Sequence, residues 1–291
     1  MNNDKVINCI GYVINILSNN KNISKYFMIN DKTKTINFLK SRNFPTTERI
    51  EKKSEISNEY IVAKPNNGKC GKGIHFFKPG KKIPDKYVQD DNYIFEKYVL
   101  GTNYRIVLYK NSIITVFERI KPTVIGNGKE SIKELIKTIN NTRSPKNLII
   151  LDSNIDDTCI PSLNEKIQCN NLCNYSTGGT VKNIDLKSIP LNTQKIFVKL
   201  SKNIDLTIFS IDLIASDITQ ILHTQQTFCI NELEYCNDWD VHYIMKDKFY
   251  VLSKYLILYW VLNIIIIITI IKRNNTNLLL IYIAMLILYM Y

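Results

Sequence analysis

The sequence predicts an α+β protein, and three observations carry that prediction. A β-rich run, Tyr60 to Ala63, delivers Lys64 and Pro65 into a basic loop containing Gly68, Gly71 and Gly73. Two more β-rich runs, YRIVLY and SIITVFER, flank Lys110 and Asn111 and predict a tight hairpin. After the hairpin, Ser131 and Glu134 form a capping box, and Ile132, Leu135, Ile136 and Ile139 share one face of the helix it opens.

Taken in order, Val6, Ile7, Ile10, Val13, Ile14 and Leu17 recur at helical spacing and predict a short packing helix within residues 1–24. No cleavage site follows it, so it does not read as a signal peptide. Asn30 or Asp31 caps the next helix, which passes through Ile36 and Leu39 and stops near Asn43, before Pro45. In the glycine loop, backbone N–H groups can close on phosphate oxygens while Lys64, Lys69 and Lys72 supply charge. The spacing matches neither common phosphate-loop pattern, and a basic surface turn between strands is the alternative. Tyr93 to Val99 reads as a second strand, broken by Gly101, and residues 140–175 are polar and irregular.

Further on, TIFSIDLIA predicts a strand with Ser210, Asp212 and Ile214 on the face opposite Phe209, Ile211 and Leu213. The strand TFCINELEY puts Glu232 and Glu234 on one face, roughly 7 Å apart by strand rise. A carboxylate among apolar neighbours is costly unless it holds a cation or a partner. Oxygen-only ligands beside a phosphate site favour Mg²⁺, and exposure on an edge strand is the other reading.

Composition bounds the rest. A chain of 291 residues with 45% apolar and 10% aromatic residues is globular rather than disordered. The net charge of +12 is spread along the chain without a dense basic block, which reads as compositional bias plus a phosphate site and argues against nucleic-acid binding. Seven cysteines, an odd number, predict reduced thiols, and the spacings of Cys169 with Cys173 and of Cys229 with Cys236 match zinc sites poorly. Tyr255 to Ile271 is free of charge, Lys272 and Arg273 interrupt, and Leu278 to Tyr291 is again apolar. Residues 251–291 therefore predict a transmembrane hairpin or tail anchor, with the preceding lysines favouring a domain that faces the cytosol.

The order of these parts resembles the ATP-grasp ligases, above all the ATP-binding modules of cyanophycin synthetases and of bifunctional glutamate-cysteine ligase/glutathione synthetases. The resemblance runs from about Ser24 to Lys254 and rests on Lys64-Pro65 with its loop, FEKYVLGTNYRIV, ERIKPTVIGNGKESIKELI, STGGT and the acidic strands. It implies two α+β subdomains clamping ATP across residues 25–250, a lid at about 46–95 and a metal-binding part at about 96–250. It implies that Lys32, Lys64 and the loop of Gly68, Gly71 and Gly73 meet the phosphates, together with Ser176, Gly178 and Gly179 of the second glycine motif. Glu96, Lys97, Tyr98 and Val99 would line the adenine pocket and Asn103 the ribose, where the family usually has an acid. Arg105 and Arg119 would hold phosphate or acyl-phosphate oxygens, and Asp212, Glu232 and Glu234 would hold Mg²⁺. Asn170 replaces a family arginine and Glu234 a family asparagine, while His242 matches a family histidine. The implied reaction joins an amino-acid or peptide carboxylate to an amine; a membrane-tethered pseudoenzyme that binds nucleotide or a partner is the alternative. Whole ligases of the family carry a substantial domain before the stretch that this chain resembles.

Overall fold

The computed structural model describes residues 28–29, 31–50, 58–68, 70–109, 111–206, 208–222 and 227–234, with Asn263 and Lys272. The expected helix within residues 1–24, the apolar segments from Tyr255, His242 and Cys236 lie outside the described residues, apart from those two positions. Among the described residues no helix is long and apolar enough to cross a membrane.

Three antiparallel sheets organise the described residues. The first has the order β2-β1-β3, from β1 (Ile61–Pro65), β2 (His75–Phe77) and β3 (Tyr93–Lys97). The second has the order β10-β9-β4-β5-β8, from β4 (Thr102–Tyr109), β5 (Ser112–Ile120), β8 (Thr180–Ile184), β9 (Ile208–Ala215) and β10 (Phe228–Glu234). A two-stranded ribbon, β6 (Thr123–Ile125) with β7 (Lys166–Gln168), completes the set. The hairpin between β4 and β5 turns at Asn111, whose φ of 63° lies in the left-handed region that asparagine tolerates.

Period-2 alternation gives the large sheet two chemically different faces. Tyr104, Ile106 and Leu108 of β4 and Phe209, Ile211 and Leu213 of β9 point into the main core, where α1 (Lys32–Ser41) and α4 (Leu191–Ile204) cover them with Leu39, Phe197, Leu200 and Ile204. Each such side chain contributes roughly 1.5–3 kcal/mol by leaving water. Helix α1 begins where Asp31 accepts a hydrogen bond from the Lys34 amide at 3.0 Å. The buried Thr193 of α4 ties in a loop, donating to the Gln220 carbonyl and accepting from the Leu222 amide.

The small sheet buries Ile61, Ala63 and Phe95 against Ile83, with Tyr87 and Tyr93 beside them. A four-residue helix, α2 (Asp85–Val88), carries Tyr87. The ribbon packs on α3 (Ile132–Asn141), which has the capping box the sequence predicts: Glu134 N–H donates to Ser131 Oγ, and Ser131 N–H donates back to the Glu134 carboxylate. The stretch 140–175 is largely irregular, as the sequence predicts, and packs on this third core through Ile149, Leu151 and Cys169.

Candidate functional site

The other face of the large sheet carries the polar residues. Strand register places Arg105 opposite Asp212, and Asp212 opposite Glu232, in one row across β4, β9 and β10. A β-bulge between Ile230 and Glu232 adds one residue, Asn231, to β10. That extra residue keeps Ile230 buried in the core while Asn231, Glu232 and Glu234 all line the cleft.

Asp212, Glu232 and Glu234 offer ligand oxygens within 4.8 Å of one another. Opposite ligands of a Mg²⁺ ion lie about 4.2 Å apart, so the donor set fits a hard divalent cation with little rearrangement. Two arginines neutralise these acids from the sheet. Arg105 Nε and Nη2 donate to Asp212 at 2.6 and 2.8 Å, Nη2 also donates to Glu234 at 2.5 Å, and Arg119 Nη1 donates to Asp212 at 2.6 Å. Burial pushes the Asp212 carboxyl up, but the two guanidinium groups outweigh it and hold it at about 2. For Glu234 burial prevails: it pushes the carboxyl up to about 7, helped by Asp212 and Glu232 and opposed by Arg105.

Facing the acids across the cleft, the small sheet presents Val62, Lys64, Phe76 and Glu96. Lys64 is 3% exposed, with Nζ 2.9 Å from Glu96 Oε2, 3.6 Å from Glu232 Oε1 and 3.1 Å from Asn231 Oδ1. Burial lowers its pKa, but Glu96 and Glu232 more than offset this, so the ammonium is favoured. Lys32, at the start of α1, donates to the Gly68 carbonyl at 2.7 Å and lies 3.7 Å from Glu232 Oε1.

The glycine loop folds over this end. Gly71 has φ +72° and a Cβ there would lie 2.7 Å from Asn174 Oδ1, so the loop seats directly on residues 172–174. Ser176 Oγ donates to the Cys70 carbonyl at 3.0 Å and fastens the same junction. Two buried cleft atoms, Thr47 Oγ1 and Glu96 Oε1, find no hydrogen-bond partner among the described residues. Glu96 Oε1 keeps a long ion pair with Arg49 Nε at 4.0 Å, and the Thr47 hydroxyl in the wall suits a ligand with a polar edge.

Of the expected residues, Lys32, Lys64, Gly68, Gly71, Glu96, Lys97, Tyr98, Val99, Asn103, Arg119, Asp212, Glu232 and Glu234 line one cleft. Arg105 departs from expectation: it is not part of the cleft lining and its guanidinium is paired with Asp212 and Glu234 inside the sheet, because strand register puts it opposite Asp212. Gly73, Ser176, Gly178 and Gly179 also stand outside the lining. Gly178 instead lets the backbone pass Ile149, since a Cβ would lie 2.5 Å from its Cα. Asn170, where a phosphate-binding cation was expected to be missing, braces the loop by donating to the Ile150 and Thr177 carbonyls. Among the described cysteines, all free thiols, Cys169 and Cys229 are buried and Cys70 and Cys159 exposed.

Sequence reasoning passed over Thr47, Lys121 and Asn231, which also line the cleft. A signal for Asn231 was present: Ile230-Asn231-Glu232 sets two polar residues in succession where strict alternation allows one, as a bulge requires.

Part of the chain is similar to known proteins. Residues 29–149 match the ATP-grasp domain family. The glutathione biosynthesis bifunctional protein GshAB of Streptococcus agalactiae is 28% identical over 223 residues, covering 65% of this chain and 30% of that protein. The protein of the same name from Clostridium perfringens is 22% identical over 234 residues, covering 72% and 29%. The chain thus spans about a third or less of the length of these relatives. Among solved structures, a bifunctional glutathione synthetase from Pasteurella multocida aligns with a TM-score of 0.48 and 19% identity over 73% of this chain and 33% of that one. A D-alanine–D-alanine ligase from Bacillus anthracis aligns at 0.42 and 12% over 72% and 56%. The chain is thus similar to the ATP-grasp domain family over residues 29–149, and to the glutathione biosynthesis bifunctional proteins at 28% and 22% identity.

Proposed function

We propose that this protein is an ATP-dependent carboxylate–amine ligase. The single observation that carries the reading is the cleft in which Lys32 and Lys64 stand across from Asp212, Glu232 and Glu234. In the reaction, a substrate carboxylate oxygen attacks the γ-phosphorus, ADP leaves, and an amine then displaces phosphate from the acyl carbon to form an amide. Phosphoryl transfer needs alignment and charge neutralisation more than covalent help, which suits a site made of ammonium groups and paired acids.

In this reading Lys32 and Lys64 hold phosphate oxygens and the Gly68 to Gly73 loop closes over them, excluding water that would intercept the activated acid. Tyr98, packed against Tyr60 with ring centroids 5.0 Å apart, and Val62 and Ile214 give the nucleotide base an apolar slot. Glu96 supplies an acceptor at the edge of that slot. Asp212, Glu232 and Glu234 would hold Mg²⁺, which when bound supplies positive charge to the transferring phosphoryl group. Arg105 keeps Asp212 and Glu234 aimed at the site. Arg119, at the cleft wall, stands where a substrate oxyanion can use its remaining N–H donors. An amino acid or small peptide is the substrate class we favour, by likeness to the glutathione biosynthesis proteins.

The apolar stretches after Tyr255 lead us to propose further that the domain is tethered to a membrane and faces the cytosol. Carbonate extraction of the full chain beside a chain ending at Lys254 tests this, and equal solubility of the two overturns it. The ligase reading is tested by phosphate release with pooled amino acids and small peptides, followed by single dropouts. Release that depends on both an acid and an amine supports it. Nucleotide binding without release for any pair leaves the pseudoenzyme in its place.

A further inference from the structure

Glu232 occupies a position that the ligase reading alone does not explain. A single oxygen, Oε1, has two ammonium groups near it, Lys64 Nζ at 3.6 Å and Lys32 Nζ at 3.7 Å. The three groups come from three elements: Lys64 from β1 of the small sheet, Lys32 from the first turn of α1, and Glu232 from β10 of the large sheet. Each lysine is held more tightly by something else. Lys64 has Glu96 at 2.9 Å and Asn231 at 3.1 Å, and Lys32 has the Gly68 carbonyl at 2.7 Å. The links to Glu232 are therefore long ion pairs laid over shorter bonds, and they can be exchanged without releasing either lysine from its place.

We propose that Glu232 is a shared counter-ion through which nucleotide and divalent cation bind cooperatively. This rests on the ligase reading of the cleft. Before ligand arrives, one carboxylate serves two ammonium groups. A cation that takes Glu232 frees the charge of Lys32 and Lys64 for phosphate, and phosphate on the lysines frees Glu232 for the cation. Each ligand thus removes the other's competitor, a coupling carried by the protein in addition to any direct metal–phosphate bond, and it must be reciprocal. Asn231 is the positioning residue: its bulge brings an amide oxygen under Lys64 and holds the ammonium within reach of Glu232.

The test uses the full chain, Mn²⁺ as the metal probe and ADP as the nucleotide probe. Without nucleotide, Lys64→Met and Lys32→Met should each bind Mn²⁺ about tenfold more tightly than wild type, within the range usual for coupled sites. Lys195→Met removes an exposed charge of α4 that stands outside the cleft lining, and it should shift Mn²⁺ binding less than about twofold. In the presence of a chelator, Glu232→Gln should bind ADP several-fold more tightly, because the lysines have lost their competitor. Lys64 is buried, so if Lys64→Met does not fold, Lys32→Met carries the metal arm. Lysine variants that bind Mn²⁺ no better than Lys195→Met, or weaker metal-free ADP binding in Glu232→Gln, overturn the exchange alone. A wild type that binds neither probe overturns the ligase reading and the exchange with it.

Discussion

Replacing Arg105 with methionine probes how the acidic face is held together. The Arg105 side chain is 5% exposed and spans Asp212 at 2.6 Å and Glu234 at 2.5 Å, so its loss leaves two carboxylates in the sheet with less compensation. Arg119 still reaches Asp212 at 2.6 Å, but it has no hydrogen bond of its own to Glu234 in the described structure. Removing one partner of a buried ion pair costs about 3–5 kcal/mol. For a domain of this size that is a fall in Tm of about 6–20 °C. The measurement is thermal and urea unfolding of wild type and Arg105→Met, each with chelator and with Mg²⁺. Mg²⁺ should stabilise the variant more than wild type, by up to about 2.7 kcal/mol at a hundredfold excess over its Kd, because it takes over charge that the guanidinium supplied. A variant as stable as wild type in chelator, or an equal Mg²⁺ effect on both, would refute the assignment of Arg105 as counter-charge to these acids.

Three other outcomes follow from the same geometry. Glu232→Gln and Asp212→Asn should reduce substrate-dependent phosphate release by at least about a hundredfold through loss of cation charge, whereas Glu234→Asn should keep or raise it; equal loss in all three contradicts these separate roles. Asp212 is held at about 2 from its ordinary 3.8, so it stabilises the fold fully above that ordinary value and loses the contribution as pH falls toward 2; unfolding free energies of Asp212→Asn should therefore lack this acid-dependent part, measured without metal. Gly178→Ala should cost about 2–5 kcal/mol because φ +89° disfavours a side chain and the new Cβ meets Ile149 backbone, whereas Gly80→Ala, with φ +73° but nothing within 4 Å, should cost about 1–2 kcal/mol by denaturant unfolding.

The sequence by itself determined much of this protein, and it did so wherever the governing physics is local. Asp31 and Ser131 with Glu134 start helices through hydrogen bonds spanning three residues, and the structure has both caps. Asn111 turns a hairpin because its own backbone tolerates a left-handed shape. Alternation along β9 placed Asp212 opposite the apolar face, since side-chain period in a strand needs no knowledge of the neighbours. The motif order then gathered the cleft residues Lys32, Lys64, Glu232 and Glu234 into one candidate site.

Tertiary structure decided what depends on partners far apart in the chain. Arg105 reads in sequence as a phosphate ligand, but antiparallel register sets it opposite Asp212, 107 positions away, and makes it part of the sheet's charge balance. Gly178 reads as a phosphate-loop glycine, yet the approach of Ile149 is what requires it. Asn170 reads as a lost cation and proves to be a brace between two loop carbonyls. The break in alternation at Asn231 and Glu232 hints at a bulge, but only pairing with β9 shows where the extra residue falls and that it lines the cleft. In each case the residue's duty is fixed by which groups strand pairing and loop packing bring within about 3 Å, a distance at which hydrogen bonds, ion pairs and steric contact outweigh local preference.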